Sequence, residues 1–358
     1  MNLVSADTTL PTQKLYIGGK YVNAVSGETF PTINPATNRV ICDVQHAGAD
    51  DVDRAVESAK KGFAEWSRTS AVERNRILMR AAAILRERND EIAYLETLDT
   101  GRPLSETTTD DVIYAAKILE YYAGLAQMLH GEHYDLGPAA FGVVRREPLG
   151  VCAGIGAWNY SIGIAMMKAA PALACGNSMI LKPADLSPLT SPRLAEAFTE
   201  AGLPSGVFNV IQGDGRTGRL LGRHNGIAKI SFTGGLDAAR KVMADAASTL
   251  KDVTFELGGN SPLIVFADAD FDSAVNAALS GNFYSAGQVC VSGTRVFVHR
   301  PIYERFVAQL APRVSAIRVG DPFGPETQVG PLITKSQTER VLRYVEMAMA
   351  SGATHVVG

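Results

Sequence analysis

Between Gly281 and Val298 the chain carries one thiol, Cys290, bracketed by Gly287 and Gly293 with Ser285, Ala286 and Ser292 as small neighbours. The stretch holds no acid, and its small side chains leave room for a reacting carbon to approach the sulfur. Cysteine attacks as the thiolate, so a second group must manage protons. An arbitrary free cysteine reads as a buried structural residue. Glycine bracketing between an apolar helix pattern and a β-branched run that reads as a strand marks this one instead as backbone-defined and reachable. The second group is offered by Phe255-Glu256-Leu257-Gly258-Gly259-Asn260-Ser261-Pro262, where Glu256 ends the strand-like run Val253–Phe255 and a glycine pair turns the chain. Taken alone, that acid reads equally as a helix cap or a solvated turn residue. Paired with Cys290 it suggests covalent catalysis, in which sulfur adds to a carbon and the carboxylate later activates water.

Those residues need a scaffold, and the composition describes a globular one. Of 358 residues 46% are hydrophobic and 20% charged, with net charge −3, which gives no electrostatic reason to expect nucleic acid or an anionic membrane as a partner. The length predicts two domains or more. Cys42, Cys152, Cys175 and Cys290 are far apart, and the six histidines lack metal-ligand spacing, so a reducing compartment and no bound metal are expected. The first residues have neither a basic start nor an apolar core, so the reading is cytoplasmic, without a signal peptide. Pro148 to Met167 is uncharged, but Gly150, Gly154, Gly156, Asn159 and Gly163 suit a strand and tight loop better than a membrane span.

Early strands are predicted over Lys14–Tyr21, Thr29–Ile33 and Arg39–Gln45. From Asp50 apolar residues recur at helical spacing, with faces through Ile77–Leu85, Ile92–Leu98 and Ile113–Met128. A hairpin follows, His133–Leu136 with Phe141–Arg146. From Gly150 strands and helices alternate: strands over Val151–Gly156, Ser178–Lys182, Val207–Gln212, Lys229–Phe232 and Val253–Glu256, helices over Ser191–Ala201, Thr217–Arg223 and Ala238–Ala247. This predicts an α/β fold, a Rossmann-like open parallel sheet with ligands at the strand C-termini.

Two glycine clusters compete for a phosphate. Gly213-Asp214-Gly215-Arg216-Thr217-Gly218 has dinucleotide-binding spacing, but no acid ends the next strand. Phe232-Thr233-Gly234-Gly235 also lies between strand and helix, with backbone N–H groups free for an anion. Lys182 and Asp185 close another strand and suit the two ribose hydroxyls of an adenosine, where the carboxylate would repel a 2′-phosphate. A surface ion pair is the plain alternative.

The runs Trp158-Asn159-Tyr160, Lys182-Pro183-Ala184-Asp185, Phe232-Thr233-Gly234-Gly235, Glu256-Leu257-Gly258-Gly259 and Gly287-Gln288-Val289-Cys290, in this order and spacing, resemble the NAD(P)-dependent aldehyde dehydrogenase superfamily. Within it, Leu15–Gly19, Leu95–Gly101, Leu119–Gly124 and Gly293–Phe297 are most similar to betaine aldehyde and aminoaldehyde dehydrogenases. The resemblance implies Cys290 as nucleophile, Asn159 as oxyanion donor with the Cys290 backbone N–H, Glu256 as base and Lys168 as a lysine behind the site. It further implies NAD, in preference to NADP, held by Trp158, Lys182, Asp185, Gly215, Phe232, Thr233, Gly234, Gly235 and Leu257.

By the same resemblance, 1–126 and 149–258 form a dinucleotide-binding domain and 127–148 an oligomerisation ribbon. Residues 259–358 form a catalytic domain expected to be incomplete, because the chain stops at Gly358 before the family's nicotinamide-ribose segment and its subunit-joining strand. A homo-oligomer is implied for full-length relatives. Four places depart from the pattern: Ser161 replaces a usual proline, Met167 stands where betaine aldehyde enzymes carry tryptophan, Leu236-Asp237-Ala238-Ala239 replaces a more polar, glycine-containing segment, and Ser292 stands where Ala, Gly, Asn or Cys is more common. The alternatives are a thiol esterase or acyltransferase and a non-catalytic NAD-binding remnant.

Overall fold

The computed structural model describes residues 8–358. The reading of the first residues against a signal peptide therefore lies outside the described residues. Leu15–Ile17 (β1) and Lys20–Val22 (β2) form a tight hairpin through Gly18 and Gly19, whose φ values are 63° and 77°. The single strand expected over Lys14–Tyr21 is thus two, because adjacent left-handed residues, which glycine adopts at little cost, reverse the chain. Thr29–Ile33 (β3) and Val40–Gln45 (β4) pair antiparallel.

A helical layer follows. Ala49–Trp66 (α1) begins at Gly48, whose N–H is accepted by the Asp51 carboxylate at 3.1 Å, and it buries Val52, Ala55, Val56 and Ala59 on one face. Ala71–Glu87 (α2) is capped by Ser70, and Asn89–Thr100 (α3) ends at left-handed Gly101. The short Leu104–Glu106 (α4) runs through a π-helical turn, Thr107–Asp111, into Val112–Leu125 (α5), with a 3-10 turn over Ala126–Met128. Glu132–Asp135 (β5) and Phe141–Val144 (β6) then form the expected antiparallel ribbon.

From here strand and helix alternate: Val151–Ile155 (β7), Ser161–Ala174 (α6), Ser178–Lys182 (β8), Thr190–Glu200 (α7), Phe208–Val210 (β9), Gly215–Arg223 (α8), Lys229–Gly234 (β10), Leu236–Ala247 (α9) and Asp252–Leu257 (β11). Pro262–Val265 (β12), Phe271–Phe283 (α10), Arg295–Val298 (β13), Tyr303–Ser315 (α11) and Lys335–Ala350 (α12) complete the chain. The β12 and β13 strands pair parallel over a small core of Val265, Val275, Ala278 and Phe306.

The main sheet has the order β11-β10-β7-β8-β9-β1-β2; its first five strands run parallel and the β1–β2 hairpin is an antiparallel edge. One face is covered by α2, α5, α6 and α7, the other by α1, α8 and α9. Burial on both faces explains why β7 and β8 are buried at every position. The strand order reverses between β7 and β10, because β8 and β9 lie on one side of β7 while β10 and β11 lie on the other. In an open parallel sheet that reversal leaves a crevice at the strand C-termini, the place for a ligand. Among the described residues no helix is long and apolar enough to cross a membrane.

Candidate active site

Sheet register gathers the candidate residues along that crevice. Ile155 stands beside both Lys182 and Phe232, Thr233 beside Glu256, and Gly234 beside Leu257. The segment leaving β7 carries Trp158 and Asn159, both half-buried. Cys290 arrives from elsewhere, on the connection between α10 and β13. It is the exposed cysteine of the four; Cys42 and Cys152 are buried, and burial pushes their thiols up to about 12 and about 11.

The turn ahead of Cys290 is strained. Ser285, Ala286 and Gly287 occupy the left-handed region in succession, with φ of 53°, 54° and 72°. For the two non-glycine residues this costs on the order of 1–2 kcal/mol each. Contacts hold the turn in place: Ser285 N–H donates to Glu106 Oε1 at 3.2 Å, and the Tyr284 hydroxyl donates to Asp110. Beyond the turn, the Gln288 carbonyl accepts the Asn159 side-chain amide at 2.7 Å and Gln288 Oε1 accepts the Ile333 N–H at 3.0 Å. Asn159 and the Cys290 segment are therefore joined directly. The second N–H of the Asn159 amide is left for another acceptor.

Ser161 occupies the first turn of α6 and retains the N–H that a proline there would lack. That N–H donates to buried Glu96 Oε1 at 2.6 Å, and the Ser161 hydroxyl donates to Ser187 Oγ at 2.6 Å. The loop carrying Asn159 is thus fixed by hydrogen bonds rather than by a ring.

Glu256 is exposed at the end of β11 and lines a cleft of about 1030 Å³ together with Lys168, Met167, Ser231, Thr233 and Thr254. Lys168 is buried; its ammonium donates to Thr233 Oγ1 at 2.7 Å and Ser231 Oγ at 3.3 Å. Burial pulls its pKa down to about 8, opposed by the charge of Glu256. Cys290 is not among the residues lining this cleft, so Glu256 and Lys168 form one group and Asn159 and Cys290 another.

The cofactor candidates divide. Lys182 is buried and its ammonium donates to the Pro183 carbonyl at 2.8 Å; burial brings its pKa to about 8, against the pull of Asp185 and Asp214. Two of its hydrogens remain for outside oxygens, and Asp185 lies exposed nearby, so the pair fits two ribose hydroxyls. The Gly213–Gly218 cluster fits a phosphate poorly. Asp214 caps its helix, accepting the Arg216 N–H at 2.7 Å, and places a carboxylate where an anion would sit. At Gly235 no side chain caps α9, and a Cβ there would meet nothing within 4 Å. Its N–H groups are the better anion cradle. Asp237 in that first turn is paired with Arg240 at 3.1 Å.

Reading by sequence alone did not find Arg102, Glu106, Tyr160, Tyr284 or Gln288, which brace the two loops. Their signal was thin: a charge next to a helix reads as solvated, and Gln288 and Tyr160 were visible only as neighbours of Cys290 and Asn159. Among the described residues no group of three or more His, Cys, Asp or Glu could hold a metal ion.

An open parallel sheet with its switch point beside a glycine turn, and a reachable thiol on a segment tied to the Asn159 amide, fit a dinucleotide-dependent class of enzyme. The sequence profile of the aldehyde dehydrogenase family matches residues 21–358, and the chain belongs to that family. It is similar to an aldehyde dehydrogenase from Bacillus cereus solved as an NAD+ complex, with 37% identity over 97% of this chain and 71% of that one, at a TM-score of 0.94. PnpE from Pseudomonas sp. WBC-3 is 37% identical over 97% of this chain and 72% of its own, also at 0.94. An NAD-dependent aldehyde dehydrogenase from Sinorhizobium meliloti is 36% identical over 96% and 69%, at 0.93.

Proposed function

We propose that this chain oxidises an aldehyde to a carboxylic acid with NAD through a covalent acyl group on Cys290. The observation that carries the reading is the exposed thiol segment bonded to the Asn159 amide at 2.7 Å, next to the sheet's switch point. In this reading the Cys290 thiolate adds to the aldehyde carbon, giving a thiohemiacetal oxyanion. The free N–H of Asn159 and the Cys290 backbone N–H hold that oxygen. When bound, NAD accepts the hydride from the tetrahedral carbon, which leaves a thioester on Cys290. Glu256, which the structure groups with Lys168 rather than with Cys290, would take a proton from the water that attacks the thioester, and release of the acid returns the thiolate. Lys168, hydrogen-bonded to Thr233 beside Glu256, is placed to move protons behind them.

Lys182 and Asp185 would hold the adenosine ribose, and the Thr233–Gly235 turn with Phe232 and Leu257 the pyrophosphate side. Gly215 is the weakest of the assignments, since Asp214 occupies its helix start. The division into a dinucleotide-binding part, a ribbon and a catalytic part belongs to the same proposal. So does a subunit contact through the ribbon, whose Leu136, Phe141 and Val143 are exposed; sedimentation of wild type against a Phe141→Asp variant reads it. If the variant sediments like wild type, the ribbon makes no such contact.

Betaine aldehyde and aminoaldehydes are the substrates to try first, on the resemblance of four sequence runs; Met167, exposed on the cleft, offers no aromatic face to a quaternary ammonium. The test is NADH formation by purified protein against a panel that includes them. The reading expects aldehyde-dependent NADH in wild type and none in Cys290→Ala. Ester cleavage without NADH would replace it with a thiol esterase, and NAD binding without turnover with a binding remnant.

A further inference from the structure

We propose that Arg102 is a positioning residue that keeps the Cys290 turn and the Asn159 loop in one register, so that thiol and amide address the same carbon. The inference rests on the aldehyde-oxidising reading and extends it to a residue outside the cleft. Arg102 follows the left-handed Gly101 and is 2% exposed. Its guanidinium is a rigid fork of donors, and it is shared among three elements. Nη1 donates to Asp111 at the end of the π-helical turn; Nη2 donates to Glu106 at 3.3 Å and to the Tyr284 hydroxyl at 3.4 Å. The guanidinium carbon also lies 4.0 Å over the Tyr160 ring.

Tyr160 directly follows Asn159, and Tyr284 directly precedes the left-handed turn. The two carboxylates that hold that turn, Glu106 on Ser285 N–H and Asp110 on the Tyr284 hydroxyl, belong to the same short segment that Arg102 ties down. One cation thus braces both loops from behind while touching neither Cys290 nor Asn159. Removing it leaves Glu106 and Asp111 buried without their counter-charge and frees the Tyr160 ring. The turn then has every reason to leave its strained conformation.

The test compares wild type with Arg102→Met, Arg102→Lys and Tyr284→Phe, each checked for folding by circular dichroism and melting. For each, kcat, KM and NAD affinity are measured. The rate at which iodoacetamide alkylates Cys290 is followed by peptide mass. Arg102→Met is expected to lower kcat about 10- to 100-fold and to change the alkylation rate, with NAD affinity within about twofold of wild type. Arg102→Lys, which keeps the charge but not the fork, should recover part of the loss. A folded Arg102→Met with wild-type kcat and alkylation rate overturns the proposal. If that variant does not fold, Tyr284→Phe decides: a several-fold lower kcat upholds the bracing role and an unchanged one ends it. Alkylation needs no turnover, so it tests the loop geometry even if Cys290→Ala were to retain NADH formation and so end the aldehyde-oxidising reading itself.

Discussion

Asn159 donates its side-chain amide to the Gln288 carbonyl at 2.7 Å, so the loop leaving β7 and the segment carrying Cys290 meet through one hydrogen bond. The contact ties an element of the parallel sheet to one contributed more than a hundred positions later. It also leaves one amide hydrogen for an oxygen forming at the thiol. Asn159→Ala should lower kcat about 10²- to 10³-fold, the usual loss for one oxyanion donor. Steady-state kinetics with circular dichroism as the folding control checks this, and a variant within about twofold of wild type would remove Asn159 from the chemistry.

Lys168 gives a pH signature. Its folded pKa, about 8, lies below the ordinary lysine value because burial disfavours the ammonium. Between pH 8 and the unfolded pKa the unfolded chain binds the extra proton, so this group makes stability rise with pH across that window. Urea unfolding of wild type and Lys168→Met should diverge there by up to ~1.4 kcal/mol per pH unit, wild type gaining as pH rises. Parallel curves would mean the ammonium is not desolvated.

Glu96 runs the opposite way. Burial raises its pKa from 4.5 to about 8, so the folded protein keeps a proton that the unfolded chain releases. Its contribution is full at acid pH and is lost as pH rises from about 4.5 towards 8. Glu96→Gln keeps an acceptor for the Ser161 N–H and should flatten that loss. If the pH dependence of the melting temperature is the same in both proteins, Glu96 is ionised in the fold.

Gly62 tests the packing of α1 on the sheet. A Cβ there would sit 2.5 Å from the Gly206 carbonyl carbon and 2.9 Å from its oxygen. Gly206 is itself left-handed, at φ 86°, so the backbone has little room to yield. Gly62→Ala should destabilise by about 1–3 kcal/mol despite alanine's better helix propensity. Denaturant midpoints at unchanged slope measure it, and an increase in stability would contradict this packing.

Much of this arrangement was legible in the order of residues. Ser178–Lys182 reads as a buried strand because Met179, Ile180 and Leu181 stand in a row before Pro183, and the structure buries all five residues, the charged Lys182 included. The alternation from Gly150 onward predicts the parallel sheet, since each crossover helix carries its own apolar face. The π-helical turn at Thr107–Asp111 was illegible, because no residue type there signals it; in the structure its last residue, Asp111, is buried against Arg102. In helix α3 the apolar spacing gives the helix but not its depth: every residue from Ile92 to Thr100 is buried, the carboxylates of Glu96 and Asp99 included. The left-handed Ser285 and Ala286 were equally hidden, because neither residue type signals φ > 0 and distant contacts impose it.

The most direct measurement uses Glu256→Gln, which keeps the thiol and should slow removal of the acyl group. Mixed with NAD and a substrate aldehyde, this variant should give one burst of NADH equal to the enzyme present. Mass spectrometry after acid quench should then find the acyl mass on the peptide containing Cys290. A burst absent while wild type turns over, or an acyl mass on another residue, would contradict a thioester at Cys290 cleared by Glu256.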